Sequence, residues 1–488
     1  MSGDWLAARA RTDPNSLALI DGDTGTRWSY QELFARVRRL AAGLREIGVA
    51  VGDRVGVVAT RDPKTVSVLW AVLGAGAVLA PLEATAPAGK IRNLASTAGL
   101  EYLFVEPARR GQVAAAIEGA CQVYSMDSLT GSAMTDSAPT AQGRPRHRKR
   151  IDETRILLFT SGSTGEPKVV RLTPRNIGAS AAGSAFRLGV EPEDRWVLTL
   201  PLYHMGGLAI VLRAAIYGTA FVLEREFDAP GTARTIQEYG ATGISLVPTM
   251  LRRLLDEGWS PATLRFALVG GAPTPESLAR RALDAGVPLH TTYGMTETAS
   301  QVATATPAEL RVDPVTVGRP LRTVQVEIVD SAGADLEPGD VGEITVSGPV
   351  VSPGYLHGPS EQFESGRFHT GDVGYRDEAG RLSVTGREST VIITGGENVY
   401  PQRVEAAFRA LEAVEDAAAV GLDDPEWGER VAVLLVTHEP ATADDLEAAV
   451  EDRLSSYEIP KTIGFASAIP RTQSGTVDRD AVRSLLDG

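Results

Sequence analysis

Lysine and cysteine are scarce in this chain. Its 488 residues contain five lysines (Lys64, Lys90, Lys149, Lys168 and Lys461) and a single cysteine, Cys121. One cysteine excludes an intrachain disulfide and a cysteine-based metal cage. The six histidines are scattered and none stand in an HExxH spacing. No run of about 18 apolar residues suggests a membrane span. The N-terminal MSGDWLAARARTDP carries charges before any apolar stretch develops, so no secretory signal is expected. Acidic residues outnumber basic ones by 62 to 48, a net charge of −14. That balance argues against a general binder of nucleic acid or anionic membrane. Together these features predict a soluble, cytoplasmic protein.

What is present is ordinary for a folded chain. Hydrophobic residues make up 43% and charged residues 23%, which excludes wholesale disorder. At about 150 residues per unit the length corresponds to roughly three domain-sized units. Helix and strand patterns alternate from the start. Leu33, Val37, Leu40 and Leu44 form one face of a helix opening near Trp28, where Ser29 and Glu32 have capping-box spacing. Arg54 to Ala59 and Glu101 to Val105 read as strands, with a helix over Val66 to Leu73 between them. Such alternation predicts an α/β protein with helix-covered, mainly parallel sheets. Residues 125–150 interrupt it, ending in the basic run RPRHRKR, which reads as a solvated loop. After Val317 short strands over Val324 to Val329, Gly342 to Val346 and Leu382 to Thr385 predict a small antiparallel subdomain. From about residue 390 short strands mix with helices over Pro401 to Leu411 and Ala443 to Leu454.

One loop stands out. The buried strand Ile156 to Phe159 runs into Thr160-Ser161-Gly162-Ser163-Thr164-Gly165-Glu166-Pro167-Lys168, and a second strand follows. Glycines let backbone N–H groups turn toward an anion, hydroxyls add donors, and lysine adds a point charge. The order is not GxxxxGK[ST], so this is no Walker loop. From the residues alone it is either a phosphate cradle or a polar hairpin.

This loop resembles the phosphate loop of the adenylate-forming acyl- and aryl-CoA synthetases. Further motifs of that family follow in family order over nearly the whole chain: LPLYH at 200–204, TYGMTET at 292–298, FHTGD at 368–372, Gly386-Arg387, and IITGGENVYP at 392–401. The resemblance implies ATP, Mg²⁺ and CoA as cofactor and cosubstrates, and a small-molecule acid as partner. It also implies a large N-terminal domain over 1–386, with its β subdomain at about 317–386. A small, mobile α+β domain would cover 387–488, with the hinge at about 386–390. No nucleic acid and no integral membrane association is expected; a homo-oligomer stays open.

The resemblance also implies roles. Thr160, Ser161, Gly162, Ser163, Thr164 and Gly165 would hold phosphates, and Lys168 and Arg387 would act in catalysis. Gly270, Gly271 and Ala272 would wall the adenine, Tyr293 and Gly294 would stack beside it, and Thr296 would donate to the α-phosphate. Asp372 would accept the ribose hydroxyls from a turn, with Arg387 nearby. A carboxylate is a hard oxygen ligand suited to Mg²⁺, and the family places Glu297 there, together with Thr164. Gly395 and Gly396 would meet CoA.

The acid is read from the segment 206–217, which is apolar but for Arg213. A buried charge needs a partner. That partner is either a structural acid or a second carboxylate on the substrate. LPLYHMGGLAIVLRAAIYG and YGMTETASQ resemble the o-succinylbenzoate–CoA ligases of menaquinone synthesis, whose substrate is a dicarboxylic aromatic acid. His204, Arg213, Thr298 and Ser300 would then line its pocket. The expected reaction is therefore AMP-forming ligation of o-succinylbenzoate to CoA. The alternatives are another aryl- or fatty-acyl-CoA ligase, or a non-catalytic nucleotide-binding homologue.

Two departures from the family pattern matter. Glu388-Ser389-Thr390 differs from the usual hinge. Thr476 stands where the family's Ser-Gly-Lys motif has its catalytic lysine. Arg471 and Arg479 are the nearest cations expected to substitute for it.

Overall fold

The computed structural model describes residues 4–117, 119–129, 151–160, 167–358, 362–364, 366–471 and 477–487, with Asn398 described only in its backbone. The basic run at 144–150, the loop residues Ser161, Gly162, Ser163, Thr164 and Gly165, and Thr476 lie outside the described residues.

The alternation of patterns produces the expected α/β architecture. A nine-stranded sheet has a parallel centre built from Leu17–Asp21, Ala220–Leu223, Arg195–Leu198, Gly243–Leu246, Phe266–Val269 and Leu289–Met295. Antiparallel strands close both of its edges. A six-stranded sheet contains Arg54–Ala59, Val78–Glu83, Tyr102–Val105, Gln122–Ser125 and Ile156–Thr160 in parallel, with Lys168–Leu172 antiparallel at one edge.

The largest core lies between these two sheets. Leu19, Leu198 and Phe221 reach it from one side, and Val55, Val57, Leu79 and Ile156 from the other. Helices Tyr30–Glu46, Pro63–Ala75 and Met205–Tyr217 supply Leu33, Leu69 and Leu208 to the same core. Their ends follow local chemistry. Asp62 caps Pro63–Ala75 by accepting from the backbone of Lys64 and Thr65, and Gly76 ends it in the left-handed conformation. Ser29 and Glu32 form the reciprocal capping box read from the sequence.

The antiparallel sheet is also as expected: Gln325–Val329, Gly342–Ser347, Arg367–Arg376 and Leu382–Arg387 pair in sequence, with Phe363–Glu364 at one edge. One expectation fails here. Asp372 does not sit on a turn; it lies inside the ten-residue strand Arg367–Arg376. The preceding residue, Gly371, has φ +67°. The strand absorbs this as register shifts against both neighbours instead of breaking. The tail of the chain wraps helices around the long hairpin Val414–Asp424 and Gly428–Thr437. Among the described residues no helix is long and apolar enough to cross a membrane.

Ser29→Ala removes the side-chain arm of the capping box that starts helix Tyr30–Glu46 and leaves the backbone N–H of residue 29 to the Glu32 carboxylate. A loss of about 1 kcal/mol is expected, read as a lower urea midpoint with an unchanged slope.

Candidate active site

Parallel strands deliver their C-terminal ends to one region, and the antiparallel sheet brings Asp372 to it. Asp372 is 5% exposed. Its Oδ2 accepts from the Tyr293 hydroxyl at 2.7 Å, and its Oδ1 from Arg387 Nε at 2.7 Å. The Thr370 hydroxyl accepts from its backbone N–H at 3.0 Å. This carboxylate therefore joins the end of strand Leu289–Met295 to strands Arg367–Arg376 and Leu382–Arg387. Burial, and then the charge of Asp372, push the Tyr293 phenol well above its ordinary pKa. The same charge raises Arg387, although nearby protein excludes part of its water. Each carboxylate oxygen can accept two hydrogen bonds, so Asp372 keeps acceptor capacity for a ligand hydroxyl.

Tyr293 and Gly294 finish a strand rather than lie in a loop. Gly294 is required by close approach: a Cβ there would stand 1.9 Å from the Ser300 carbonyl oxygen. The hairpin then turns sharply. Ala299 and Ser300 have φ +53° and +117°, the two non-glycine residues with positive φ among those described. Such strain persists only where surrounding contacts hold it. Thr298 is part of that hold. It is fully buried, and its hydroxyl bonds the backbone of Met295 and Ser300. Thr298, expected to line the substrate pocket, braces the turn with its hydroxyl.

The turn presents Glu297, which is 8% exposed. Burial raises its pKa; Tyr355, Lys168 and Arg387 act against that. The Tyr355 hydroxyl lies 3.0 Å from Glu297 Oε1 and 2.9 Å from Gln362 Oε1. Lys168 donates to that same Gln362 oxygen at 3.0 Å, and its ammonium sits 4.9 Å from the centre of the Tyr355 ring. Lys168 also pairs with Thr160, where strand Lys168–Leu172 meets strand Ile156–Thr160. Among the described residues no three His, Cys, Asp or Glu side chains converge as a metal cage. A lone carboxylate completed by substrate phosphates is the usual mode for Mg²⁺, so the donor set fits that ion. Beside this cluster, Gly270 and Gly271 follow strand Phe266–Val269, and Gly270 lies against Thr292.

Helix Met205–Tyr217 carries the next group. His204 is its N-cap, exposed, with its ring centre 4.5 Å from that of Tyr203. Nearby protein excludes enough water to lower its pKa, against the pull of Glu83. Arg213 is 3% exposed. It donates to the Ser180 hydroxyl at 3.2 Å and its guanidinium stands 5.9 Å from the Trp196 ring centre. Among the described residues no carboxylate lies within ion-pair distance of it. The structural acid that would explain this buried charge is absent among the described residues.

The diglycine turn is placed with different residues. A Cβ on Gly395 would stand 2.7 Å from the Trp427 ring, and Lys461 lies 3.7 Å from that ring's centre. Trp427, Tyr355 and Gln362 were not singled out from the sequence. Each signals its place only through contacts to distant residues. Arg471 and Arg479, expected as substitute cations, are both committed. Arg471 pairs with Asp416 at 2.5 Å, and Arg479 pairs with Glu405 at 2.8 Å and bonds the Ala419 carbonyl.

These features can be set beside known proteins. The AMP-binding enzyme family matches residues 6–356, and the C-terminal domain of AMP-binding enzymes matches residues 403–476. The chain belongs to this family. It is 35% identical to the 2-succinylbenzoate–CoA ligase of Bacillus licheniformis, over 98% of each chain. Among solved structures it resembles the Bacillus subtilis o-succinylbenzoate CoA synthetase in complex with its acyl-adenylate intermediate. That likeness has a TM-score of 0.89 at 32% identity over 98% of each chain. The same enzyme with ATP and magnesium ion gives a TM-score of 0.89 at 32% identity, over 99% of each chain.

Gly294→Ala would force the hairpin open at the Ser300 carbonyl. Overpacking of this kind costs roughly 1–3 kcal/mol. A lowered urea midpoint and weakened ATP binding by calorimetry are expected together, since the same turn presents Glu297.

Proposed function

We propose that this chain is an ATP-dependent, AMP-forming ligase that converts o-succinylbenzoate to o-succinylbenzoyl-CoA for menaquinone synthesis. In the first step a carboxylate oxygen attacks the α-phosphorus of ATP, and pyrophosphate leaves. In the second the CoA thiol, losing its proton, attacks the acyl carbon, and AMP leaves. Tyr293 and Asp372 orient adenine and ribose, with Gly270, Gly271 and Ala272 as the wall. Lys168, Arg387 and Thr296 face the phosphates. Glu297, with the nucleotide, would hold Mg²⁺, which would supply positive charge against the developing negative charge. The tail from 387 to 488 turns about 386–390 between steps, bringing Gly395 and Gly396 toward CoA. The Trp427 ring with the Lys461 ammonium beside that turn suits a nucleotide end: a stacking face next to a cation. ATP and CoA are cytoplasmic substrates, and we place the reaction there.

The observation that carries the choice of acid is Arg213. It is buried and lacks a carboxylate partner among the described residues. A dicarboxylic substrate supplies one. The direct test combines purified protein, ATP, Mg²⁺, CoA and o-succinylbenzoate, with mass spectrometry for o-succinylbenzoyl-CoA. Pyrophosphate release with other acids only would point to a different acyl-CoA ligase. ATP binding with no thioester from any acid would point to a non-catalytic homologue.

Arg213→Ala should lower kcat/KM for o-succinylbenzoate by about two to three decades, as breaking a buried charge pair costs about 2–5 kcal/mol. A monocarboxylic analogue should lose far less. Equal losses would make Arg213 structural.

Thr476→Lys tests the missing family charge. Preorganised donors at such a centre are worth roughly 3–4 kcal/mol, and threonine has no charge. Arg471 and Arg479 cannot supply it without leaving Asp416 and Glu405. The substitution should accelerate adenylation, read by single-turnover pyrophosphate release, and leave thioester formation from supplied acyl-adenylate unchanged.

A further inference from the structure

We propose that Tyr355 is a positioning residue for the metal-binding carboxylate, holding Glu297 through the proton of its phenol. The proposal rests on the reading of Glu297 as the Mg²⁺ ligand.

The geometry begins at Lys168. Its ammonium has only donors, so the Gln362 atom 3.0 Å away must be the amide oxygen. That oxygen is also 2.9 Å from the Tyr355 hydroxyl, whose other neighbour is Glu297 Oε1 at 3.0 Å. A phenol has one proton and here faces two acceptors. The carboxylate is the stronger acceptor because it is charged. The proton therefore settles on Glu297 Oε1, fixing the carboxyl rotamer and leaving the other carboxylate oxygen for a cation. Outer partners of this kind orient a metal ligand without touching the metal. Gln362 keeps Lys168 as its own donor, so the phenol proton is not needed there. Tyr355 itself is seated edge-on against Phe363, ring centres 5.4 Å apart. It comes from a segment that also bridges to Val170 beside the loop strand. Its place is set by packing, so the hydroxyl is presented at a constant point.

The experiment measures Mn²⁺ binding by electron paramagnetic resonance, with ATP present and neither acid nor CoA. Tyr355→Phe keeps the ring and its packing and removes only the hydroxyl. Its Mn²⁺ affinity should fall by about ten- to a hundredfold, with thermal midpoint and metal-free ATP affinity near those of the parent. Glu297→Gln should lose at least as much. Parent-like affinity in Tyr355→Phe beside a loss in Glu297→Gln overturns the positioning role and leaves the metal ligand standing. Parent-like affinity in Glu297→Gln overturns the reading of Glu297, and the positioning role with it. Gln362→Leu is the second variant, should Tyr355→Phe fail to fold. It leaves the Tyr355 proton on Glu297 and removes the acceptor of Lys168. ATP binding in EDTA should weaken while Mn²⁺ affinity stays near that of the parent; the reverse pattern overturns the proposal.

Discussion

Asp372 is the point on which the candidate site depends. One buried carboxylate accepts from Tyr293 on the main sheet and from Arg387 at the end of the antiparallel one. Arg387 is delivered by the neighbouring strand, directly opposite Asp372, but Tyr293 is 79 residues away, and that meeting costs ordering entropy that local structure does not repay. The charge repays it, because hydrogen bonds to an ionised acceptor are stronger than neutral ones. The consequence runs outward. Tyr293 is held by its hydroxyl, Gly294 allows the hairpin to close on Ser300, and Thr298 braces the turn that presents Glu297.

The second governing constraint is the use of cations. With five lysines, most positive positions fall to arginine, whose planar fork suits fixed pairing. Most arginines around the C-terminal hairpin are spent this way: Arg409 and Arg471 on Asp416, Arg479 on Glu405. Arg213 is the contrast. It carries the full cost of burial with a serine hydroxyl and an aromatic face as partners. A site that binds a carboxylate must bear such a cost before the ligand arrives. Lys168, the lysine of the phosphate loop, is not left loose either, since Gln362 holds its ammonium.

Some of this was legible in the sequence because its cause is local. The capping box at Ser29 and Glu32, the buried strand Arg54–Ala59 and the apolar helix Met205–Tyr217 each follow from residues a few positions apart. The alternation of such elements determines the α/β class, since parallel strands require crossovers. The motifs from TSGSTGEPK to GGENVYP carry the family resemblance for the same reason: each is a run of neighbours.

What only the tertiary structure decided is which residues meet across long separations. HTGD looks like a turn, yet pairing on both sides keeps Asp372 inside a strand. Thr298 lies among motif residues, yet the folded hairpin turns its hydroxyl to the backbone. Arg471 and Arg479 look like free cations near the expected lysine position, yet the hairpin supplies them with acids. Tyr355 and Gln362 carry no local signal at all, because a hydrogen bond between side chains 58 residues apart, as from Tyr355 to Glu297, leaves no trace in either neighbourhood. Local spacing determines elements and loops; the partners of buried charges are chosen by the packing that removes them from water.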